Sequence, residues 1–463
     1  MAAQINALDK SISPSKIVWL LAWPTIVEQL LLTFVSYVDA GMVGRIGVDA
    51  TAAVAVSTSF IWLVHGIING VGVGYSVMVS KSIGEQNLER AKEIIRQSVM
   101  VMFIFGIFMT IVTELLVAPN MATWMGAEKS IHQDIDDYIS IIGYAMVFEV
   151  FLVVAGAIIR GSGNTRTPMV YNVINNIANI IFNFIFIYPT REVSIGPIEF
   201  EIWGMGMGVQ GAAVGTALAA ALSGTMMFVT LFVGKSTVRI SLKEKYKLDK
   251  AINMSMIKLG VPVAFERVVQ QSGQIVGTAL ATGIGNVALA AHQMANIVES
   301  MCFLPPFAFS IASMTLVAQS LGGGDKDLAK TYAKLSLKYG LSIMTVASVI
   351  MFIFAPQLVG LLIKDTAVIT LGALVLRIQA LTEPCLGVTN ICSGVIKGAG
   401  DTKSPFYISM LGMWIVRMVP AFILIKYFNV GLVGLWIPMA IDWLVRALIY
   451  IYIFKGDKWL KNY

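Results

Sequence analysis

The sequence repeats itself, and each copy carries an acid inside an apolar stretch just after a proline. Leu21, Pro24 and Glu28 recur at an offset of 238 residues as Leu259, Pro262 and Glu266. The same offset aligns Ala52-Ala53 with Ala290-Ala291, Ser82-x-Gly84 with Ser320-x-Gly322, and Ala91-Lys92 with Ala329-Lys330. Shortened by one, it aligns Ala118-Pro119 with Ala355-Pro356 and the run Arg160 to Thr165 (RGSGNT) with Lys397 to Thr402 (KGAGDT). Near the end of each copy, Gly208-Val-Gln-Gly211 answers Gly431-Leu-Val-Gly434. A chain that is mostly two copies of one unit builds two similar bodies, whatever else it does.

Composition says in which solvent. Hydrophobic residues make up 57% of the 463 residues and charged ones 13%, about half the charged share of soluble domains. Apolar stretches of ~20 residues span a bilayer core. About twelve are present, at 17–40, 52–80, 94–117, 136–159, 168–189, 208–234, 253–281, 290–318, 332–358, 370–396, 405–427 and 430–454. The expected fold is therefore an all-α polytopic membrane protein of twelve transmembrane helices. Its parts are a cytoplasmic tail (1–16), an N-lobe (17–234), a cytoplasmic linker (235–252), a C-lobe (253–454) and a second tail (455–463). Six spans per half is an even number, so both halves enter the bilayer in one orientation, related by a pseudo-two-fold axis along the membrane normal. Two such halves with ionisable residues near their interface is the build of a secondary transporter.

The net charge of +6 is a topology signal. With the N-terminus inside, inner segments hold 24 of the 33 Lys and Arg residues. Outer loops hold five (Arg45, Lys129, Arg191, Lys364, Lys426), and Arg267, Arg377, Arg417 and Arg446 fall within or beside helices. This asymmetry predicts both termini in the cytoplasm of a multi-pass protein of the cell membrane, with a lipid bilayer and no nucleic acid as its surroundings. The basic run Lys235 to Lys250 is expected to form the linker, with an interfacial amphipathic helix as its candidate form. Cys302, Cys385 and Cys392 are scattered in apolar helices and read as packing. No cleavage site follows the first apolar stretch, so the first span is expected to be retained.

Acids inside spans are costly and each is a functional hypothesis. Glu28, Asp39, Glu149, Glu266, Glu299, Glu383 and Asp442 qualify. Asp442 and Arg446 are four apart, the spacing of an intrahelical ion pair. Asp39 differs from its own repeat, where Gly277 stands. Glu28 and Asp39 lie about three helical turns apart on one face. In the fifth span Asn172, Asn175, Asn176, Asn179 and Asn183 cover roughly a third of the helical circumference. Asn179 and Asn183 answer Val416 and Pro420 in the second copy. Helix-to-helix hydrogen bonding is the plain explanation of a buried asparagine, but five on one face near an aspartate suit a cation site or a proton relay. His65 and His292 read as hydrogen-bonded structural residues, and the 25 methionines as apolar filler that can also line an adaptable pocket.

Several of these residues together carry a resemblance. Tyr37-Val-Asp39 with Met42-Val-Gly44, Leu289-Ala-Ala-His292-Gln293, the Gly-x-Gly-Asn/Asp-Thr turns at Gly161 and Gly398, and the Ala-Pro pairs at Pro119 and Pro356 make the chain similar, over nearly its whole length, to the multidrug and toxic compound extrusion (MATE) transporters. The resemblance implies two six-helix lobes and cation-coupled export of organic, often cationic, compounds by alternating access, with no cofactor and sodium or a proton as coupling ion. It implies a coupling site of Asp39, Asn179, Asn183 and Thr216, with Asp39, Asn179 and Asn183 as the sodium ligands. Tyr37, Glu28, Glu266, Gln270, His292 and Glu383 are the cavity and substrate candidates. In the C-lobe, members with a coupling glutamate have it eight residues after the proline, where this chain has Gln270. The substrate is expected to be an organic cation or amphiphile and the protein a monomer. A flippase for lipid-linked sugars is the alternative within the same superfamily. An intramembrane enzyme is disfavoured, because no Ser/His/Asp or His-x-x-x-His grouping is present.

Overall fold

Only structures that satisfy every backbone N–H and C=O internally cross a bilayer, so apolar stretches of this length must be helical. The computed structural model describes residues 5–195, 198–233, 239–244 and 246–460. Residues 1–4 and 461–463 of the expected tails, and 235–238 and 245 of the expected linker, lie outside the described residues. Among the described residues, twelve long helical elements follow one another. They are α1 (Pro14–Gly44), α2 (Val48–Gly84), α3 (Leu88–Trp124), α4 (Lys129–Tyr144 with Met146–Gly161), α5 (Arg166–Ile187) and α6 (Gly208–Thr230), then α7 (Lys250–Ile284), α8 (Asn286–Gly322), α9 (Lys326–Ile353), α10 (Thr366–Ala380 with Glu383–Gly398), α11 (Lys403–Lys426) and α12 (Val433–Lys455). Nine are long and apolar enough by themselves to cross a membrane, and the bent pairs α4 and α10 bring the number to 11. The remaining element is the 35-residue α7.

The departures from simple rods have local causes. α4 bends by 56° and α10 by 51°, at equivalent places in the two copies. Pro384 opens the second piece of α10, and a π-helical turn, Phe151–Ala155, follows the bend in α4. α3 runs past the expected end at 117 because a π-turn, Thr113–Val117, lets the helix resume with Pro119 in its first turn. There the missing N–H of proline costs nothing. α9 stops at Ile353, and Pro356 opens a separate short helix, Ala355–Gly360. Between α5 and α6 the chain forms an antiparallel hairpin, β1 (Pro189–Ile195) and β2 (Ile198–Met205). It is the one pair of strands among the described residues. The lipid-facing side of α3 is a strip of exposed Phe103, Ile104, Ile107, Phe108, Ile111 and Leu115, whose spacing is that of one helical face.

The repeated Gly-x-Gly turn explains where α4 and α10 end. Gly163 (φ 90°) and Gly400 (φ 82°) are left-handed. Asn164 N–H bonds Ile159 O at 3.2 Å and Asp401 N–H bonds Ile396 O at 3.1 Å, closing the same helix-ending loop twice. The side chains of Asn164 and Asp401 then accept from the backbone of Thr167 (3.1 Å) and Ser404 (3.0 Å), starting α5 and α11.

The chain divides into two compact units, one holding Val27–Val79 and Leu88–Met256, the other Ile5–Ile26, Ser80–Asn87 and the residues from Ile257 onward. In the second unit, buried Gln319 accepts from Ala7 N at 3.0 Å and Tyr332 donates to Ala7 O at 2.7 Å. In the first, buried Gln97 organises the linker. Its Nε2 donates to Lys247 O (2.8 Å), and its Oε1 accepts from Asp249 N (2.9 Å) and from Asn253 Nδ2 (3.1 Å). Tyr75 Oη donates to Asn253 Oδ1 at 2.7 Å. The described linker residues, 239–244 and 246–249, are turns and irregular chain rather than an interfacial helix. Gln97 takes up backbone groups that a helix would have used. Asp249 begins α7 by accepting from Ala251 N (2.7 Å) and Ile252 N (3.0 Å). Those backbone bonds hold its carboxyl below the usual aspartate range.

Gln97→Leu should therefore release the linker without unfolding the chain. Losing a buried partner costs about 1–3 kcal/mol, so amide exchange at 246–253 should rise roughly ten- to a hundred-fold, measured by hydrogen–deuterium exchange.

Candidate functional site

Four of the residues singled out in the sequence meet within the first unit. α5 presents Asn179 and Asn183 one turn apart, α1 presents Asp39, and α6 presents Thr216. Asn183 Nδ2 donates to Asp39 Oδ1 at 3.0 Å. The Asn179 amide, oriented so that both its ends find complementary partners, donates to Asp39 Oδ1 at 2.8 Å and Oδ2 at 3.0 Å, and its oxygen accepts from Thr216 Oγ1 at 3.1 Å. Tyr138 of α4, buried beside Thr216, closes the group. Sequence reasoning missed Tyr138, because one tyrosine in an apolar span carries no pattern.

α6 reaches α5 this closely because Gly211 and Gly215, four apart, have no side chains. A Cβ on Gly211 would meet the carbonyl of Phe186, and one on Gly215 would meet the Asn183 side-chain oxygen and, at 2.9 Å, its backbone nitrogen. This is the small-residue packing of membrane helices. It also leaves buried Asn183 Oδ1 without a hydrogen-bond partner.

The donors are one carboxylate, two amides and hydroxyls. Among the described residues no three His, Cys, Asp or Glu side chains gather as a metal cluster. A single negative charge with neutral oxygens fits a hard monovalent ion or a proton, and the orphaned Asn183 oxygen fits such an ion as a further ligand. It does not fit a divalent transition metal.

The other candidates lie elsewhere. Glu28 accepts at Oε1 from Arg160 Nη1 (3.2 Å) and Asn172 Nδ2 (3.0 Å). Glu266 faces Lys397 Nζ at 2.7 Å and accepts from Ser409 Oγ at 3.4 Å. Tyr37 is exposed on α1. Gln270 accepts from Arg267 at 3.4 Å. His292 is buried between Trp436 Nε1 (3.2 Å from Nδ1) and Asn296 Nδ2 (3.0 Å from Nε2). His65 lies 3.4 Å from Glu149.

The second unit holds a polar group that the sequence did not reveal. Gln379 Nε2 donates to Glu299 Oε1 at 3.1 Å and to Glu383 Oε1 at 3.4 Å, so one neutral amide bridges two carboxyls. Asp442 makes the expected bond to Arg446 (2.5 Å) and a further one to Arg417 Nε of α11 (2.9 Å), with both guanidinium groups over the Trp443 ring.

Two six-helix copies, with an oxygen-rich acid site built in one of them, define a polytopic membrane transporter. The family signature described as MatE matches twice, over residues 24–185 and 262–423, beginning each time on the repeated proline. The chain belongs to the MatE family, whose members are transporters and not enzymes. It is 26% identical over 454 residues to the "Probable multidrug resistance protein NorM" of Thermotoga maritima, covering 96% of this chain and 92% of that protein. It is 24% identical over 457 residues to the "Uncharacterized transporter YisQ" of Bacillus subtilis, covering 99% and 98%. Among solved structures, the outward-facing conformation of a multidrug resistance MATE family transporter of the MOP superfamily shares the fold, with a TM-score of 0.89 at 20% identity over 99% of this chain and 98% of that one. The chain is thus a polytopic transporter of small molecules in a lipid bilayer.

The glycine contact gives a direct test of the site's construction. Gly215→Val should push α6 off α5 and cost about 1–3 kcal/mol by overpacking. A lowered thermal midpoint in detergent would report it, while Leu222→Val, at an exposed position of the same helix, serves as a reference.

Proposed function

We propose that this transporter is a cation-coupled antiporter that exports organic, cationic or amphiphilic compounds, with Asp39, Asn179, Asn183 and Thr216 as its coupling site. The observation that carries the reading is the company of Asp39: the amides of Asn179 and Asn183, with no cation beside it among the described residues. An intramembrane carboxylate left without a counter-charge is open to an exchangeable one. A proton and a sodium ion then compete for one negative charge. The asparagines can follow that exchange by turning. A bare carboxylate favours their N–H groups, whereas a protonated or ion-bearing one favours their oxygens. Coupling follows if outward- and inward-facing states bind the ion with different affinity, since a ligand shifts an equilibrium only by that difference. The names of the relatives, multidrug resistance proteins among them, support an organic substrate.

In this reading the protein works as a monomer in the cell membrane, with lobes at 17–234 and 253–454 and a linker at 235–252. Both termini face the cytoplasm. A second reading rests on the Glu299–Gln379–Glu383 bridge, where two carboxyls share one amide. That pair would bind the ion in place of Asp39.

Asp39→Asn keeps shape and hydrogen bonding but removes the exchangeable charge. In proteoliposomes with sodium and pH gradients imposed separately, it should fold and still bind a fluorescent organic cation, yet lose gradient-driven efflux by at least tenfold. Asn183→Ala should be milder. Native efflux by Asp39→Asn together with loss in Glu383→Gln would move the assignment to the second reading.

Topology has its own check. Leu242 is 75% exposed in the linker. In a cysteine-free background, Leu242→Cys should resist an impermeant thiol reagent added outside intact cells and react once the membrane is opened. Labelling from outside would reverse the orientation.

A further inference from the structure

The ion pairs at Glu28 and Glu266 are one arrangement built twice. Each acid stands four residues after the repeated proline, in the first helix of its copy. Each meets a base in the last turn before the Gly-x-Gly turn of the fourth helix: Arg160 at 3.2 Å, Lys397 at 2.7 Å. Each also accepts from a neutral donor nearly two turns into the fifth: Asn172 at 3.0 Å, Ser409 at 3.4 Å. The three positions correspond by the offsets of the repeat itself, 28 to 266, 160 to 397 and 172 to 409. The base changed from Arg to Lys and the donor from Asn to Ser, so what is kept is the charge pattern rather than the residues. All four acidic and neutral members are buried.

We propose that the two triads are positioning devices, each clamping the segment that follows the proline of α1 or α7 onto the fourth and fifth helices of its own unit, and that Glu28 and Glu266 bind neither the coupling ion nor substrate. Proline removes one backbone hydrogen bond and crowds the preceding turn, so the helix is weakest there. In the first copy the boundary between the compact units falls between Ile26 and Val27, between the proline and the acid. A buried ion pair with a specified partner on another helix fixes where the weakened helix sits. Each acid already faces a base, which an exchangeable cation would have to displace. The inference rests on transport by rearrangement of helices, not on which ion drives it.

The test measures the clamp and transport separately in the full-length protein. Glu28→Gln should raise hydrogen exchange at 24–32 at least tenfold and lower the maximal rate of ethidium efflux about tenfold. The half-saturating ethidium concentration and the pH and sodium dependence should stay native. Arg160→Lys should behave as wild type, because the second copy uses lysine there, and Glu28→Arg combined with Arg160→Glu should restore both readouts to within about threefold. Glu266→Gln, Lys397→Arg and the reversed pair Glu266→Lys with Lys397→Glu should reproduce the pattern at 262–270. Failure of the reversed pairs to restore protection in thermally stable protein would overturn the clamp, and so would a shifted pH or sodium dependence in Glu28→Gln. The exchange measurement reads the clamp even in a protein that moves no ethidium, so a wrong transport reading cannot be mistaken for a wrong clamp.

Discussion

A charge inside a bilayer has to be answered from within the protein, and the way each is answered sorts six of the acids of this chain into two kinds. Glu28, Glu266 and Asp442 meet Arg or Lys side chains at 3.2 Å or less. Asp39, Glu299 and Glu383 meet amides. An ion pair taken out of water is tolerated when its geometry and remaining hydrogen bonds are good, and removing one member costs far more than the pair contributes. Such groups suit fixed parts of a machine. An amide satisfies the hydrogen-bonding capacity of a carboxylate without cancelling its charge, so an acid held that way keeps an electrostatic demand that only a proton or ion can meet.

Helix packing is arranged around that distinction. Gly211 and Gly215 bring α6 against α5, with Thr216 beside Asn179 and Asn183, and the Gly-x-Gly turns end α4 and α10 one residue after the bases that hold Glu28 and Glu266. The same turn thus does two things. It reverses the chain between the fourth and fifth helices, and it presents a cation and a neutral donor on adjacent elements to one carboxylate.

The spans, their order and the doubling of the unit were legible in the sequence because they depend on hydrophobicity and on residue identity at a fixed offset. The meeting of Asp39 with Asn179 and Asn183 was legible as well, through a one-sided asparagine stripe that the second copy lacks. What escaped was of another kind. Glu266 lacked a partner at helical spacing, and its base lies 131 residues on, yet the repeat already paired Glu28 with Glu266 and Arg160 with Lys397. The signal was present in two motifs that had not been joined. Gln379 and Tyr138 left no such trace, since a single polar residue in an apolar helix has no period and no offset partner of its own kind. The linker misled by its charge. A basic run suggested an interfacial helix, but backbone groups of Lys247 and Asp249 are taken by Gln97, a side chain about 150 residues earlier in the chain.

Comparing the copies separates motion from chemistry. Whatever both halves must do in the same way should be written in both, and the proline, the acid after it, the base and donor that hold it, and the bends of α4 and α10 all are. Whatever only one half does should be free to differ. Asp39 answers Gly277, Asn179 answers Val416 and Asn183 answers Pro420, so the proposed coupling site has no counterpart to inherit. Glu299, Gln379 and Glu383 show the same asymmetry from the other side, for Gln379 and Glu383 answer Ile142 and Met146. A repeat relaxed in this way can hold one exchangeable charge in each half at unrelated places while moving both halves by the same hinges. The amide-held acids, being unshared, are then where differences in ion and substrate among such chains can arise, and the ion-paired ones are where the fold has least freedom to change.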